Sequence, residues 1–203
     1  MLLGGEPLLN PEIVDLLDIT RKYLPQTTLY LFTNGLLFPN MKKEFWDACK
    51  GNDISVKVTE YPIKFDYTKW FDFGLKNGID IVSTENPEKI KSTYRLPLKV
   101  DGGLDAYKNY SKCYHANQCV VLREGRLYTC PIAAWVDYLN SYFGTSFPEK
   151  DVNSIDIYEQ KNAHTVMDYL KNPIKMCEYC DIYHYEYDIT WEITKRDKKE
   201  WID

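Results

Sequence analysis

The chain has 203 residues, of which 44% are hydrophobic and 27% charged, and carries a net charge of −5. That length suffices for one good core, or for one domain of about 120 residues with a small appendix. The acidic balance and the lack of a basic cluster argue against nucleic acid as a partner. No apolar run approaches the roughly 18 to 20 residues that span a bilayer, and no charged segment precedes the short apolar stretch at the N-terminus. A cytoplasmic protein without a membrane partner is expected, and in that reducing compartment clustered thiols read as metal ligands rather than disulfides.

The first hundred residues repeat an apolar strand followed by an amphipathic helix. Leu2 and Leu3 run into Gly4-Gly5-Glu6-Pro7, and Asn10-Pro11-Glu12 then supplies a cap, a proline for the first turn and an acid near the positive end of the helix dipole. Ile13, Leu16, Leu17 and Leu24 follow helical spacing up to Pro25. Residues 28–33 predict a strand ended by Asn34-Gly35. A second helix puts Met41, Phe45, Ala48 and Cys49 on one face, where Cys49 reads as a buried structural thiol. Residues 54–59 predict a strand. Asp66 caps a third helix with Tyr67, Trp70, Phe71 and Gly74 inward and Gly78 as terminator, and residues 79–82 add a short strand. Strand starts near 28, 54 and 79 recur at about 25 residues, the length of a βα unit in a parallel sheet. The expected fold class is therefore α/β, an open parallel sheet or partial barrel.

After Ser83 the periodicity weakens. Asn86-Pro87 marks a turn, residues 94–100 read as a strand, and Asp101-Gly102-Gly103 is a strong turn signal. A boundary between about 101 and 112 divides the chain into 1–104 and 105–203. Beyond it, residues 120–129 predict a hairpin turning at Glu124-Gly125, residues 155–170 a helix, and the alternation of Tyr183, Tyr185, Tyr187 and Trp191 a half-buried strand.

Two constellations carry chemistry. Five of the six cysteines lie in this C-terminal part, at 113, 119, 130, 177 and 180, and supply at least the four thiolates that a tetrahedral or cubane site needs. The Gly4-Gly5-Glu6-Pro7 element sits where a parallel strand ends, the edge at which open α/β sheets bind ligands. Two glycines let a ligand approach the backbone, and Glu6 adds charge beside strand-end carbonyls; an ordinary βα turn accounts for the tetrapeptide equally well. His115 stands near the cysteines as a donor behind the ligands or as an ordinary satisfied histidine. Ser55, Lys57 and Glu60 fit strand-face polarity as readily as a ligand pocket.

With these motifs the chain resembles the radical S-adenosylmethionine (SAM) superfamily. The resemblance rests on the GGEP tetrapeptide, on Thr33-Asn34-Gly35 at the next strand end, and on Cys113 followed by eleven residues, Gly125, four residues and Cys130, with Cys177 and Cys180 as a closing pair. The latter pattern is similar to that of SPASM and twitch auxiliary-cluster domains. The resemblance implies a partial (β/α) parallel barrel of the radical SAM type with a small Cys-rich α+β domain. It implies SAM contacts at Gly4, Gly5, Glu6, Pro7, Thr33 and Asn34, and one auxiliary [4Fe-4S] cluster on Cys113, Cys130, Cys177 and Cys180. Cys119 fits the spacing less well and reads as a fifth thiol, an alternate ligand or a packed core cysteine.

The C-x3-C-x2-C triplet that holds the catalytic cluster in that superfamily occurs nowhere in these residues. The expectation is a homologue that lacks its first βα unit and does not cleave SAM by itself, leaving its status as an enzyme open. Zinc on the same four cysteines, in a binding protein, is the alternative, and an α/β ligand-binding domain with redox-active cysteines a third. A small-molecule or peptide substrate and a reductant protein are the partners the resemblance implies.

Overall fold

A computed structural model describes residues 1–84, 92–116 and 118–203; the turn expected at Asn86-Pro87 lies outside them. The chain forms two compact units, Met1–Lys91 and Ser92–Asp203. It is mixed α/β, and its sheets are small and open.

In the first unit the order is α1 (Ile13–Tyr23), β1 (Leu29–Thr33), α2 (Lys43–Gly51), β2 (Ile54–Val58), α3 (Thr68–Asn77) and β3 (Ile81–Ser83). The three strands pair in parallel in the order β1-β2-β3, with Leu29 opposite Ile54 and Val56 opposite Ile81. Leu2 continues the sheet beyond β1 as a parallel bridge to Leu31, its N–H donating to Tyr30 O at 2.7 Å.

Strand alternation decides which face is covered. Leu29, Leu31, Ile54, Val56, Val58 and Ile81 are buried and share one core with Ile13 and Leu17 of α1 and with Phe45, Trp46 and Cys49 of α2. The intervening Tyr30, Phe32, Ser55 and Lys57 are half-buried and outside that core. The aromatic rings of Trp46, Trp70 and Phe73 pack edge-on or stacked, with Phe38 tilted against both tryptophans, and fix α2 and α3 beside each other. Gly74 lets α3 approach the strand that follows it: a Cβ there would lie 2.7 Å from the Ile79 carbonyl oxygen. Asp66 accepts from Lys69 N–H at 3.3 Å, and Gly78 ends α3 in the left-handed conformation.

The second unit contains β4 (Ser92–Arg95), α4 (Ala106–Lys112), β5 (Val121–Arg123), β6 (Arg126–Tyr128), α5 (Pro131–Phe143), α6 (Lys150–Asn153), β7 (Ser154–Asp156), α7 (Ala163–Leu170) and β8 (Glu186–Thr190). β4 pairs antiparallel with β8, and β5-β6-β7 form an antiparallel sheet. The hairpin turns at Glu124 and Gly125, both at positive φ, as a two-residue turn requires.

Several sequence expectations need correction here. The division falls at 91/92, so residues 92–104 join the C-terminal unit through β4–β8 and through Leu98, which bridges Cys180 and Ile202. The 94–100 stretch is a strand only to Arg95; Pro97 has no N–H to give a ladder. Residues 155–170 are not one helix. Their start completes the sheet as β7, and α7 begins only at Ala163, where the Asn162 side chain accepts from Thr165 N–H. Residues 183–191 divide into a 3₁₀ turn, Ile182–His184, and β8, on which Tyr187 is exposed rather than half-buried. Helix α5 was not foreseen, although Pro131 in its first turn and Gly144 just past its end are its ordinary boundary signals.

Candidate functional site

The four cysteines implied as ligands come from three separate segments. Cys113 ends α4, Cys130 caps the start of α5, Cys177 lies in the 3₁₀ turn Lys175–Glu178, and Cys180 follows that turn. All four line one small cavity of about 20 Å³. Its wall is otherwise largely apolar, with Leu96, Ile132, Ile174, Met176 and Ile182, and includes Asn109, His115 and Thr129. Cys119 is not in the wall. All six cysteines are free thiols. Among the described residues, no three His, Cys, Asp or Glu side chains are gathered as a single metal ion would require.

Three of the thiols, Cys130, Cys177 and Cys180, are held mainly protonated by their surroundings. Burial pushes Cys130 up to about 12, partly offset by the backbone N–H groups of Ile132 and Ala133 at the start of α5. Burial raises Cys177, and it raises Cys180 well above the usual thiol range with Cys130, Cys177 and Cys113 adding to the effect. These groups favour a neutral thiol unless a cation takes the proton's place.

A residue the sequence did not mark positions two of them. Asn109, on α4 and only 4% exposed, donates from Nδ2 to the carbonyls of Cys177 and Cys180, both at 2.8 Å. The same helix turns one residue further to aim Tyr110 Oη at Leu170 O, 2.6 Å away. From the other side the fully buried Asn153 accepts the Met176 N–H at 2.8 Å. Lys99 N–H donates to Tyr179 O and Asp181 N–H to Pro97 O, each at 2.9 Å, so the Cys177–Cys180 segment is clamped along its length. An Asn one helical turn before a cysteine is a signal only once the partner loop is known.

His115 adds a polar group to the wall. The side chain is 7% exposed, its Nε2 lies 2.8 Å from Tyr94 Oη, and its buried Nδ1 has no hydrogen-bond partner among the described residues. Burial lowers its pKa.

In the first unit the two strand-end motifs are joined. Glu6 Oε1 accepts from Thr33 Oγ1 at 2.6 Å and from Leu8 N–H at 3.0 Å, while Oε2 accepts from Asn34 N–H at 2.9 Å. Thr33 Oγ1 also accepts from Gly35 N–H at 3.0 Å. The carboxylate thus braces the Gly4–Pro7 loop against the end of β1, and Oε2 keeps room for a further donor. Gly4 and Gly5 have positive φ and open space where a Cβ would stand, so backbone conformation rather than crowding calls for glycine there. At the same sheet edge Thr59 N–H donates to Thr33 O and Thr84 N–H to Val58 O, each at 2.9 Å. Ser55 is engaged by Asp80, and Lys57 lies over the Tyr30 ring.

The fold and sites thus define a two-unit α/β protein with a thiol-lined cavity in its C-terminal unit. The sequence matches no family model and no curated protein. No helix among the described residues is long and apolar enough to cross a membrane.

Proposed function

We propose that the C-terminal unit holds one [4Fe-4S] cluster on Cys113, Cys130, Cys177 and Cys180, in the manner of a SPASM/twitch-type auxiliary domain. The N-terminal unit is then part of a radical SAM-type partial barrel, with a portion of the SAM pocket at Gly4, Gly5, Glu6, Pro7, Thr33 and Asn34. The observation that carries this reading is the convergence of four thiols from three distant segments on one largely apolar cavity.

The donor set supports it: thiolates are the ligands iron–sulfur clusters take, and buried thiols of raised pKa release their protons to a cationic group. Zinc draws four sulfurs to about 2.3 Å from one centre. An iron–sulfur cluster takes the same four-thiolate donor set, so metal and sulfide analysis separates the two. The helix start behind Cys130 offers N–H groups to its sulfur and stabilises the thiolate form. Asn109 fixes the backbone of Cys177 and Cys180 so that both side chains stay directed at the cavity. When bound, the cluster supplies one-electron transfer or an iron that holds substrate.

In the N-terminal unit Glu6 holds two strand-end loops in register and leaves acceptor capacity on Oε2 for a ligand ammonium. No C-x3-C-x2-C triplet lies within these 203 residues, so SAM cleavage is not assigned to them. Free thiols throughout suit a cytoplasmic setting with a reductant protein as partner, and a small-molecule or peptide substrate.

The test is anaerobic purification with iron, sulfide and zinc analysis of the wild type and of Cys177→Ala/Cys180→Ala. About four irons and four sulfides per chain, lost in the variant, are expected. One zinc without sulfide overturns the reading in favour of a zinc-stabilised binding protein. Metal-free thiols that cycle with oxidant overturn it in favour of a redox-active domain.

A further inference from the structure

The wall of the thiol-lined cavity contains a polar atom that the four-cysteine site does not use. His115 is buried there, and its Nδ1 is without a partner among the described residues. An unpaired ring nitrogen in apolar surroundings costs about 1–3 kcal/mol, so buried polar groups of this kind normally have a use. The other nitrogen is committed: Nε2 lies 2.8 Å from Tyr94 Oη, and the two rings are 5.4 Å apart. Tyr94 is not in the cavity wall. With Nε2 committed to Tyr94, Nδ1 is the ring nitrogen still free to meet a group bound in the cavity that His115 lines.

The partner of one imidazole nitrogen sets the state of the other. A phenol O–H is a better donor than an imidazole N–H, and an imidazole nitrogen a better acceptor than a phenol oxygen. Tyr94 thus donates to Nε2, and the ring hydrogen resides on Nδ1. The ring is further fixed by Tyr114, edge-on at 5.4 Å, and Tyr94 in turn packs on Tyr185 at 5.7 Å. Four of the residues that line the cavity with His115 are cysteines, so a group they held would bring sulfur to that wall.

The geometry points to His115 as a hydrogen-bond donor, through Nδ1–H, to a sulfur of the bound cluster, with Tyr94 holding the tautomer and the ring. This rests on the cluster assignment above. His115 is then a positioning and tuning residue rather than a ligand. Donation to sulfur stabilises the more electron-rich reduced state, so it raises the reduction potential of the site.

The experiment measures metal and sulfide content first, then the reduction potential by redox titration, on reconstituted full-length wild type, His115→Leu, His115→Asn and Tyr94→Phe. His115→Leu is expected to keep its full complement of iron and sulfide. Its oxidised-to-reduced ratio at a fixed potential should rise about tenfold, a negative shift of about 59 mV for a one-electron couple. His115→Asn, whose amide nitrogen sits near the Nδ1 position, is expected to restore most of that shift, and Tyr94→Phe to show a smaller one. In the reduced state, electron–nuclear double resonance should show an exchangeable proton coupled to the cluster in the wild type that is missing from His115→Leu.

An unchanged potential in His115→Leu with the cluster intact overturns the inference, as does absence of the exchangeable proton. Strong nitrogen coupling in wild type with iron loss in His115→Leu makes His115 a ligand and overturns it as well. A wild type without iron and sulfide removes the cluster assignment itself, which the first analysis reveals before any potential is measured.

Discussion

Asn109 gives the sharpest test of how the cysteine loop is held. In Asn109→Ala two hydrogen bonds vanish, those to the carbonyls of Cys177 and Cys180. The Cys180 carbonyl keeps a second donor, Ile182 N–H at 3.0 Å, so its loss amounts to one ordinary bond of about 1 kcal/mol. The Cys177 carbonyl loses its side-chain donor in a site where water does not easily replace it, which costs about 1–3 kcal/mol. The C-terminal unit should therefore lose about 2–4 kcal/mol. With a urea dependence of about 2 kcal/mol per molar, its unfolding midpoint falls by about 1–2 M. Because the chain has two units, unfolding is best followed by hydrogen exchange at amides within the second, such as Lys99 and Asp181. Asn109→Asp keeps the shape but turns a carboxylate toward two carbonyl oxygens, and should be worse than Asn109→Ala. A loss below about 0.5 kcal/mol for Asn109→Ala, the range of ordinary surface substitutions, would refute the claim that this side chain clamps the loop.

Two further perturbations test other parts of the molecule. Glu6→Gln replaces one accepting oxygen with an amide that cannot accept from its present donors, Thr33, Asn34 and Leu8. A loss of about 1.5–3 kcal/mol for a charge-assisted bond predicts a melting temperature lower by about 6–24 °C for a unit of this size, read by calorimetry on the N-terminal transition. Asp137 is held below the usual carboxylate range by its paired bonds to Arg123, at 2.8 and 2.9 Å, against the opposing effect of partial burial. Because the folded pKa is depressed, this pair stabilises the protein above the unfolded carboxyl pKa, and the gain is lost as pH falls through the folded value. Asp137→Asn should cost about 1 kcal/mol near pH 7, discounted for the partly exposed carboxylate, and progressively less below about pH 4 in urea melts.

The N-terminal unit was the more legible. Its βα rhythm, the terminator Gly78 and the alternation of Leu29, Leu31, Ile54 and Val56 are local signals, set by neighbours a few residues apart, whereas Asn10, expected as the cap of α1, ends the preceding 3₁₀ turn and α1 starts from Glu12. The hairpin at Glu124-Gly125 was legible for the same reason, since a two-residue turn writes its need for positive φ into its own residues. The expected helix at 155–170 failed because the start of that segment is claimed by β6, and sequence periodicity carries no record of a partner strand nearly thirty residues away.

What the sequence determined by itself was the inventory: strand-end glycines beside Glu6, and thiols at 113, 130, 177 and 180 of a type and number suited to one site. What only tertiary structure decided was the company they keep. It tied Glu6 to Thr33 and Asn34 and set Asn109 under the Cys177–Cys180 loop. It also put His115 in a cavity wall while Cys119, four residues on, stands outside it. The physical reason is that these relations are hydrogen bonds and shared burial between segments 27 to 71 residues apart. Their energy depends on how distant segments of one unit pack, and no local pattern encodes it.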